Sequence, residues 1–244
     1  MWANNEVGTV QDIPALAAIA HERGIPIHTD AVQAFGHVPV DFTAADVDLL
    51  TITAHKVGGP VGVGALVAKR TAAIVPLIHG GGQERQVRSG TLDAAGVRAF
   101  AVAACEATGR REHETARLMA LRDRLIKGAL AIDGEIRPGG WWEAGDATRR
   151  LAGNAHLVVP GCEGDSLLYL LDAAGIECST GSACQAGVPQ PSHVLLAMGL
   201  SEAEARGALR FTLGHSSTDA DIDAVLAVLP SAVARARRAS GGAA

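Results

Sequence analysis

Apolar and polar residues recur along this chain with two periods. Ile13, Leu16, Ala17 and Ala20 follow helical spacing. Asp12 ahead of them can cap the first turn, Pro14 suits that turn, and Gly24 follows the end. IPIH then reads as a short strand ending in Thr29 and Asp30, VDLLTIT (47–53) as a second and GALVA (64–68) as a third. Continuous apolar strands alternating with helices predict βαβ units around a sheet buried on both faces. From Asp93 to Glu106 the helical period returns, and Thr108, Gly109 and Arg110 are expected to break it. Leu118, Leu121, Leu125 and Ala129 mark the next helix. Further on, PGGWWEAGD reads as a loop, NAHLVV as a strand, DSLLYLLDAAG as a helix, residues 176–178 as a short strand ending in Cys178 and residues 219–237 as the last helix. The pattern predicts an α/β region over residues 1–110 and a smaller α+β region over residues 111–244.

Composition narrows the class. The 244 residues are 48% hydrophobic, 19% charged and only 3% aromatic, so the core is aliphatic and the chain globular. A net charge of -5 gives no electrostatic reason to expect nucleic acid or an anionic membrane as a partner. No apolar run reaches the roughly 18 residues that a membrane span needs, and MWANNEVG has neither the basic segment nor the apolar core of a secretory signal. Four cysteines (Cys105, Cys162, Cys178, Cys184) do not make a disulfide framework, and a cytoplasmic location with reduced thiols is expected.

Three constellations carry candidate chemistry. His55 and Lys56 follow a predicted strand and precede GGPVGVG; a partly desolvated lysine there can act as an amine nucleophile. A lysine in that setting can also simply snorkel to water, and the glycines follow it, so this is no Walker loop. Asp30 in HTDAVQ ends the preceding strand. Alone it is an ordinary cap for the residues after it; beside a lysine it completes the acid and amine that pyridoxal phosphate requires. Cys184 lies in CSTGSACQAGVPQPSHVL, a loop by its Gly and Pro content, where a thiolate can attack a sulfur or carbon centre. Cys105 and Cys178 read better as small buried hydrophobes. A zinc set of Cys178, Cys184 and His193 lacks any CxxC support, and no metal is expected. GGGQERQVRSGT (80–91) can donate hydrogen bonds to an anion, and Arg210 in LRFTLGH can clamp a carboxylate or serve as a plain ion-pair partner.

NNEVGTVQDI, HTDAVQAFG, TAHKVGGPVGVGAL, GGGQERQVRSGT, STGSAC and ALRFTLGH, in that order, resemble the cysteine desulfurases, pyridoxal-phosphate enzymes of fold type I and aminotransferase class V. The resemblance spans Asn4 to the last helix, and the long GSAC…PSHVL stretch is similar to the group that supplies sulfur for iron–sulfur clusters and thiolated nucleosides. It implies a mostly parallel sheet flanked by helices in residues 1–110, the C-terminal part of a large cofactor-binding domain, and a small α+β domain in residues 111–244. Lys56 would bond to the cofactor aldehyde and shuttle protons, Asp30 would pair with the ring nitrogen, Gln33 would hydrogen-bond the ring hydroxyl, and Asn5 would lie close to the ring. Thr53 and His55 would bind the phosphate, although many relatives carry serine where this chain has Thr53. Thr91 would reach the cofactor of a neighbouring subunit, which implies a homodimer. Asn154 and Arg210 would hold the carboxylate of L-cysteine, and Cys184 would take its sulfur as a persulfide for an iron–sulfur scaffold or another acceptor protein, leaving alanine.

Family members carry a long segment ahead of NNEVG that supplies a phosphate-binding threonine and a ring-stacking histidine. The resemblance therefore implies an N-terminally incomplete large domain, and a polypeptide that is poorly soluble or inactive unless a partner completes it. A selenocysteine lyase, or another class V enzyme, is an alternative reading. So is a non-catalytic interaction fragment.

Overall fold

The computed structural model describes residues 1–181 and 190–241. They divide into two compact units, residues 1–3 with 11–111 and residues 4–10 with the described residues from 112 onward. Residues 4–10, which precede the first helix in sequence, group with the second unit.

In the first unit, α1 (Ile13–His21) starts where Asp12 Oδ1 accepts a hydrogen bond from the Ala15 amide at 3.1 Å, and it buries Ile13 and Ala17. β1 (His28–Asp30), β2 (Leu49–Thr53) and β3 (Gly64–Ala68) form a sheet in that order. β1 and β2 run parallel; β2 and β3 run antiparallel, Thr53 opposite Gly64. The expectation of a sheet buried on both faces fails here: Leu50 is buried, but β3 is exposed along almost its whole length. β3 is an edge strand paired on one side only, and Leu66 and Val67 face water.

The expected break at residues 108–110 is also absent. α2 is one helix of 39 residues, Ala94–Ile132. Thr108 Oγ1 donates to the carbonyls of Ala104 (2.8 Å) and Cys105 (3.2 Å), so its hydroxyl is satisfied within the helix. A lone glycine costs a helix only about 1 kcal/mol, less than the packing that holds α2 together further on.

In the second unit, β4 (Arg137–Pro138), β5 (Asn154–Val158) and β6 (Ala208–Thr212) form an antiparallel sheet in that order. All of β5 is buried. Leu157 and Leu209 of this sheet join one apolar cluster with Leu125 of α2, Leu167 and Leu171 of α3 (Gly164–Asp172) and Leu229 of α6 (Asp219–Gly241). Helices segregated against an antiparallel sheet are the α+β arrangement. α4 (His193–Ala197) is capped by Ser192, and α5 (Glu202–Arg206) by a reciprocal Ser201–Glu204 box.

The strand expected at residues 176–178 does not form; Ser179 alone bridges to Arg210 on the open side of β6. Cys105 is exposed rather than buried, because it lies on the water-facing side of α2. Cys178 is half-buried against the apolar cluster, and burial, then the Asp172 charge, push its thiol up to about 11.

Candidate functional site

The candidate residues fall into two sets, one in each unit. In the first unit the register places His28, Thr29 and Asp30 opposite Leu49, Leu50 and Thr51. Because the pair is parallel, Asp30 and the end of β2 leave the sheet at the same edge, where open α/β sheets bind ligands. Asp30 is exposed; its Oδ1 accepts from the Val32 amide at 2.8 Å, and Oδ2 accepts no hydrogen bond among the described residues. Gln33 is half-buried in the turn that follows.

β2 runs directly into a 3₁₀ turn, Ala54–Lys56. Thr53 Oγ1 donates to the Val63 carbonyl at 3.2 Å and lies 3.0 Å from His55 Nδ1. A hydroxyl has one proton, so both contacts are made at once when Nδ1 of His55 carries its own. Lys56 is exposed rather than partly desolvated, since the turn carries its side chain off the end of the sheet. The His37 ring holds the same turn, with Nε2 at 3.2 Å from the Lys56 carbonyl.

The glycine-rich stretch folds into a self-bonded loop. Gln83 Oε1 accepts from the Gly90 amide at 2.9 Å, and the buried Ser89 hydroxyl accepts from the Gly82 amide at 3.3 Å. Glu84, Arg85 and Gln86 take positive φ of 48°, 57° and 67°, three consecutive left-handed residues without a glycine. Thr91 is exposed just beyond the loop.

In the second unit Asn5, Asn154 and Arg210 come together. Asn4 Oδ1 accepts from the amides of Glu6 (2.9 Å) and Val7 (3.0 Å), closing a tight turn with Asn5 exposed at its tip. Arg210 Nη1 donates to the Asn5 carbonyl at 2.9 Å, while its buried Nε has no partner among the described residues. Asn154 Nδ2 donates to the Glu6 carbonyl at 2.9 Å, and Oδ1 accepts from Arg150 Nη2 at 3.1 Å. Cys184 lies outside the described residues.

Four residues of this site were not singled out by sequence reasoning. Arg150 is fully buried and donates to the carbonyls of Asn154, Gly139 and Trp141; burial, then the neighbouring Arg122 charge, bring it down to about 9, with Asp123 opposing. His156, opposite Arg210 in the β5–β6 register, is also fully buried. Burial, then the Arg150 and Arg210 charges, lower it to about 3, so the ring is neutral. Glu6 is 5% exposed, and Ser192 Oγ donates to its Oε2 at 2.5 Å. The Ser ahead of HVLLA is the only sequence signal among the four, as a helix cap.

The sequence pattern of Aminotransferase class-V matches residues 1–225, and the chain belongs to that family. Within it, the chain is similar to cysteine desulfurases. It is 56% identical over 240 residues to the IscS-like cysteine desulfurase of Mycobacterium tuberculosis, covering 98% of this chain and 60% of that protein. To the cysteine desulfurase NifS of Azotobacter vinelandii it is 41% identical over 240 residues, covering 98% and 58%. The NifS-like protein from Rickettsia africae superposes with a TM-score of 0.82 at 30% identity, covering 95% of this chain and 60% of that one. SspA, solved in complex with cysteine, gives a TM-score of 0.66 at 32% identity over 87% and 57%. The chain thus spans about 60% of the length of the relatives it matches. No helix among the described residues is long and apolar enough to cross a membrane.

Proposed function

We propose that this chain carries the lysine, acid and sulfur-accepting cysteine of a cytoplasmic, pyridoxal-phosphate-dependent cysteine desulfurase that forms alanine from L-cysteine. The observation that carries this reading is the common exit of Asp30 and the Lys56 turn from one edge of a parallel strand pair.

The residues present fit the cofactor. Its three handles are a basic ring nitrogen, an aldehyde and a dianionic phosphate. Asp30 keeps Oδ2 for the ring nitrogen, Lys56 offers an exposed amine to the aldehyde, and the Thr53–His55 pair offers a hydroxyl and imidazole to the phosphate. When bound, pyridoxal 5'-phosphate supplies an electron sink for breaking bonds at the substrate's carbon atoms. Gln33 and Asn5 are assigned to the ring, and Thr91 to the cofactor of a second copy in a homodimer.

Arg210 and Asn154 are assigned to the substrate carboxylate, and the unpartnered Nε of Arg210 supports that role. Lys56 Nζ moves the proton at the substrate's α-carbon. Cys184 Sγ, as the thiolate, bonds to the substrate sulfur; the C–S bond breaks, the carbon skeleton takes up a proton and leaves as alanine, and the sulfur stays on Cys184 as a persulfide. An iron–sulfur scaffold or another acceptor protein then takes that sulfur. The test is the visible absorption of the chain titrated with pyridoxal phosphate, wild type beside Lys56→Ala. A band near the visible edge in the wild type alone is expected; identical spectra for both would sink the assignment of Lys56.

A further inference from the structure

Glu6 is a buried carboxylate with no cation paired to it among the described residues. Burying an acidic side chain with only a neutral donor beside it is costly, and a fold keeps the arrangement where it fixes something. Two different parts of the second unit converge on it. Asn154 binds its backbone carbonyl, and Ser192 binds its carboxylate. The Ser192 hydroxyl accepts from the amides of Val194 (3.2 Å) and Leu195 (3.3 Å) as the cap of α4, so its single proton is directed to Glu6. Val7, the residue after Glu6, and Leu195, three residues after Ser192, share an apolar cluster with Ala205 and Ala208. The carboxylate also underlies Gly181: a methyl group on that residue would stand 3.6 Å from Glu6 Oε2 and 3.5 Å from His156 Nε2.

Glu6 therefore bonds the residue that caps the helix beyond residues 182–189, lies beneath the position that a side chain on Gly181 ahead of them would take, and directly follows Asn5. We infer that Glu6 is a positioning residue: one buried hydrogen bond holds the turn that carries Asn5 in register with the helix that follows the Cys184 segment. The inference rests on the desulfurase reading for its catalytic consequence. The tie itself stands on geometry within one unit.

Two readouts test it on the full chain. The first is amide hydrogen exchange without cofactor. Glu6→Ala is expected to speed exchange at Val194 and Leu195 by about tenfold or more, and Ser192→Gly, which keeps most of the capping preference, to do the same in the turn of residues 4–10. Glu6→Gln is expected to stay near wild type, because its amide oxygen accepts the same proton. The second is alanine formation from cysteine with added pyridoxal phosphate. Glu6→Ala and Ser192→Gly are expected to lower kcat about tenfold with KM little changed, and Glu6→Gln to restore it.

Wild-type exchange and kcat in Glu6→Ala would overturn the inference. So would damage in Glu6→Gln equal to that in Glu6→Ala, since charge rather than register would then be what counts. If Glu6→Ala does not fold, Ser192→Gly breaks the same bond from the other side and decides the matter. If the wild-type chain forms no alanine at all, the desulfurase reading fails for this polypeptide, while the exchange experiment still decides whether Glu6 holds α4.

Discussion

Arg150 Nη2 lies 3.1 Å from Asn154 Oδ1, and the same guanidinium donates 3.0 Å to the Asn154 backbone carbonyl. The side chain assigned to the substrate carboxylate is thus oriented by a buried arginine four residues earlier. Removing Arg150 would take the arginine donor from the Asn154, Gly139 and Trp141 carbonyls and from Asn154 Oδ1. We expect Arg150→Met to cost on the order of 3 kcal/mol in urea unfolding followed by tryptophan fluorescence. Arg150→Lys should recover little of it, since an ammonium cannot reproduce the fork. A cost below about 1 kcal/mol would show the network to be dispensable.

Gly8 sets how closely the NNEVG turn approaches Asn154. Its φ is +75°, and a methyl group there would stand 2.7 Å from Asn154 Cγ. Gly8→Ala combines a left-handed backbone penalty with a displaced buried amide, and we expect a loss of about 2 kcal/mol or more in the same unfolding assay. Gly24→Ala, also at positive φ but with open space around it, is the control and should cost only the backbone part, about 1 kcal/mol.

Charge ties the end of α1 to the start of β2. His21 sits 2.9 Å from Asp48 and 3.2 Å from Asp46, and Lys69 pairs with both aspartates. The hydrogen bond to Asp48 raises His21 against the opposing effect of burial; the His21 bond, then the Ile27 amide, lower Asp48 to about 2. The His21 contribution is complete below its unfolded value of about 6.5 and is lost as pH rises through the raised folded value; the Asp48 contribution is present above about 4 and is lost as pH falls towards 2. We expect a higher Tm at about pH 5 than at about pH 8, and a smaller difference in His21→Gln. An equal difference in both proteins would remove His21 as its source.

Arg85 is the middle of three consecutive left-handed residues. Such a conformation costs about 1–2 kcal/mol for a residue with a side chain, so Arg85→Gly is expected to stabilise the chain by up to about 1 kcal/mol after the greater freedom of glycine in the unfolded state is counted. Thermal melts of the two proteins check the sign. A destabilised Arg85→Gly would mean that the Arg85 side chain contributes more than its backbone strain costs.

Local chemistry determined much of this protein in advance. The spacing of Ile13 and Ala17 with Asp12 ahead of them is enough to place α1, and GALVA has the bounds of β3, because caps, helical periods and short apolar runs act within a few residues. The ordered motifs likewise mark Asp30, Lys56 and Arg210 as candidates, and the resemblance they carry adds Asn154. Tertiary structure decided what depends on partners distant in sequence. α2 runs through Gly109 because packing outweighs a single weak residue, residues 176–178 form no strand because the one backbone bridge to β6 among the described residues there is made by Ser179 just beyond them, and β3 stays exposed because it is paired on one side. The burial of Glu6, Arg150 and His156 was decided in the same way: nothing within a few residues of any of them says that Ser192, the Gly139 carbonyl or Arg210 will be its neighbour, since those contacts are made by chain folding back on itself.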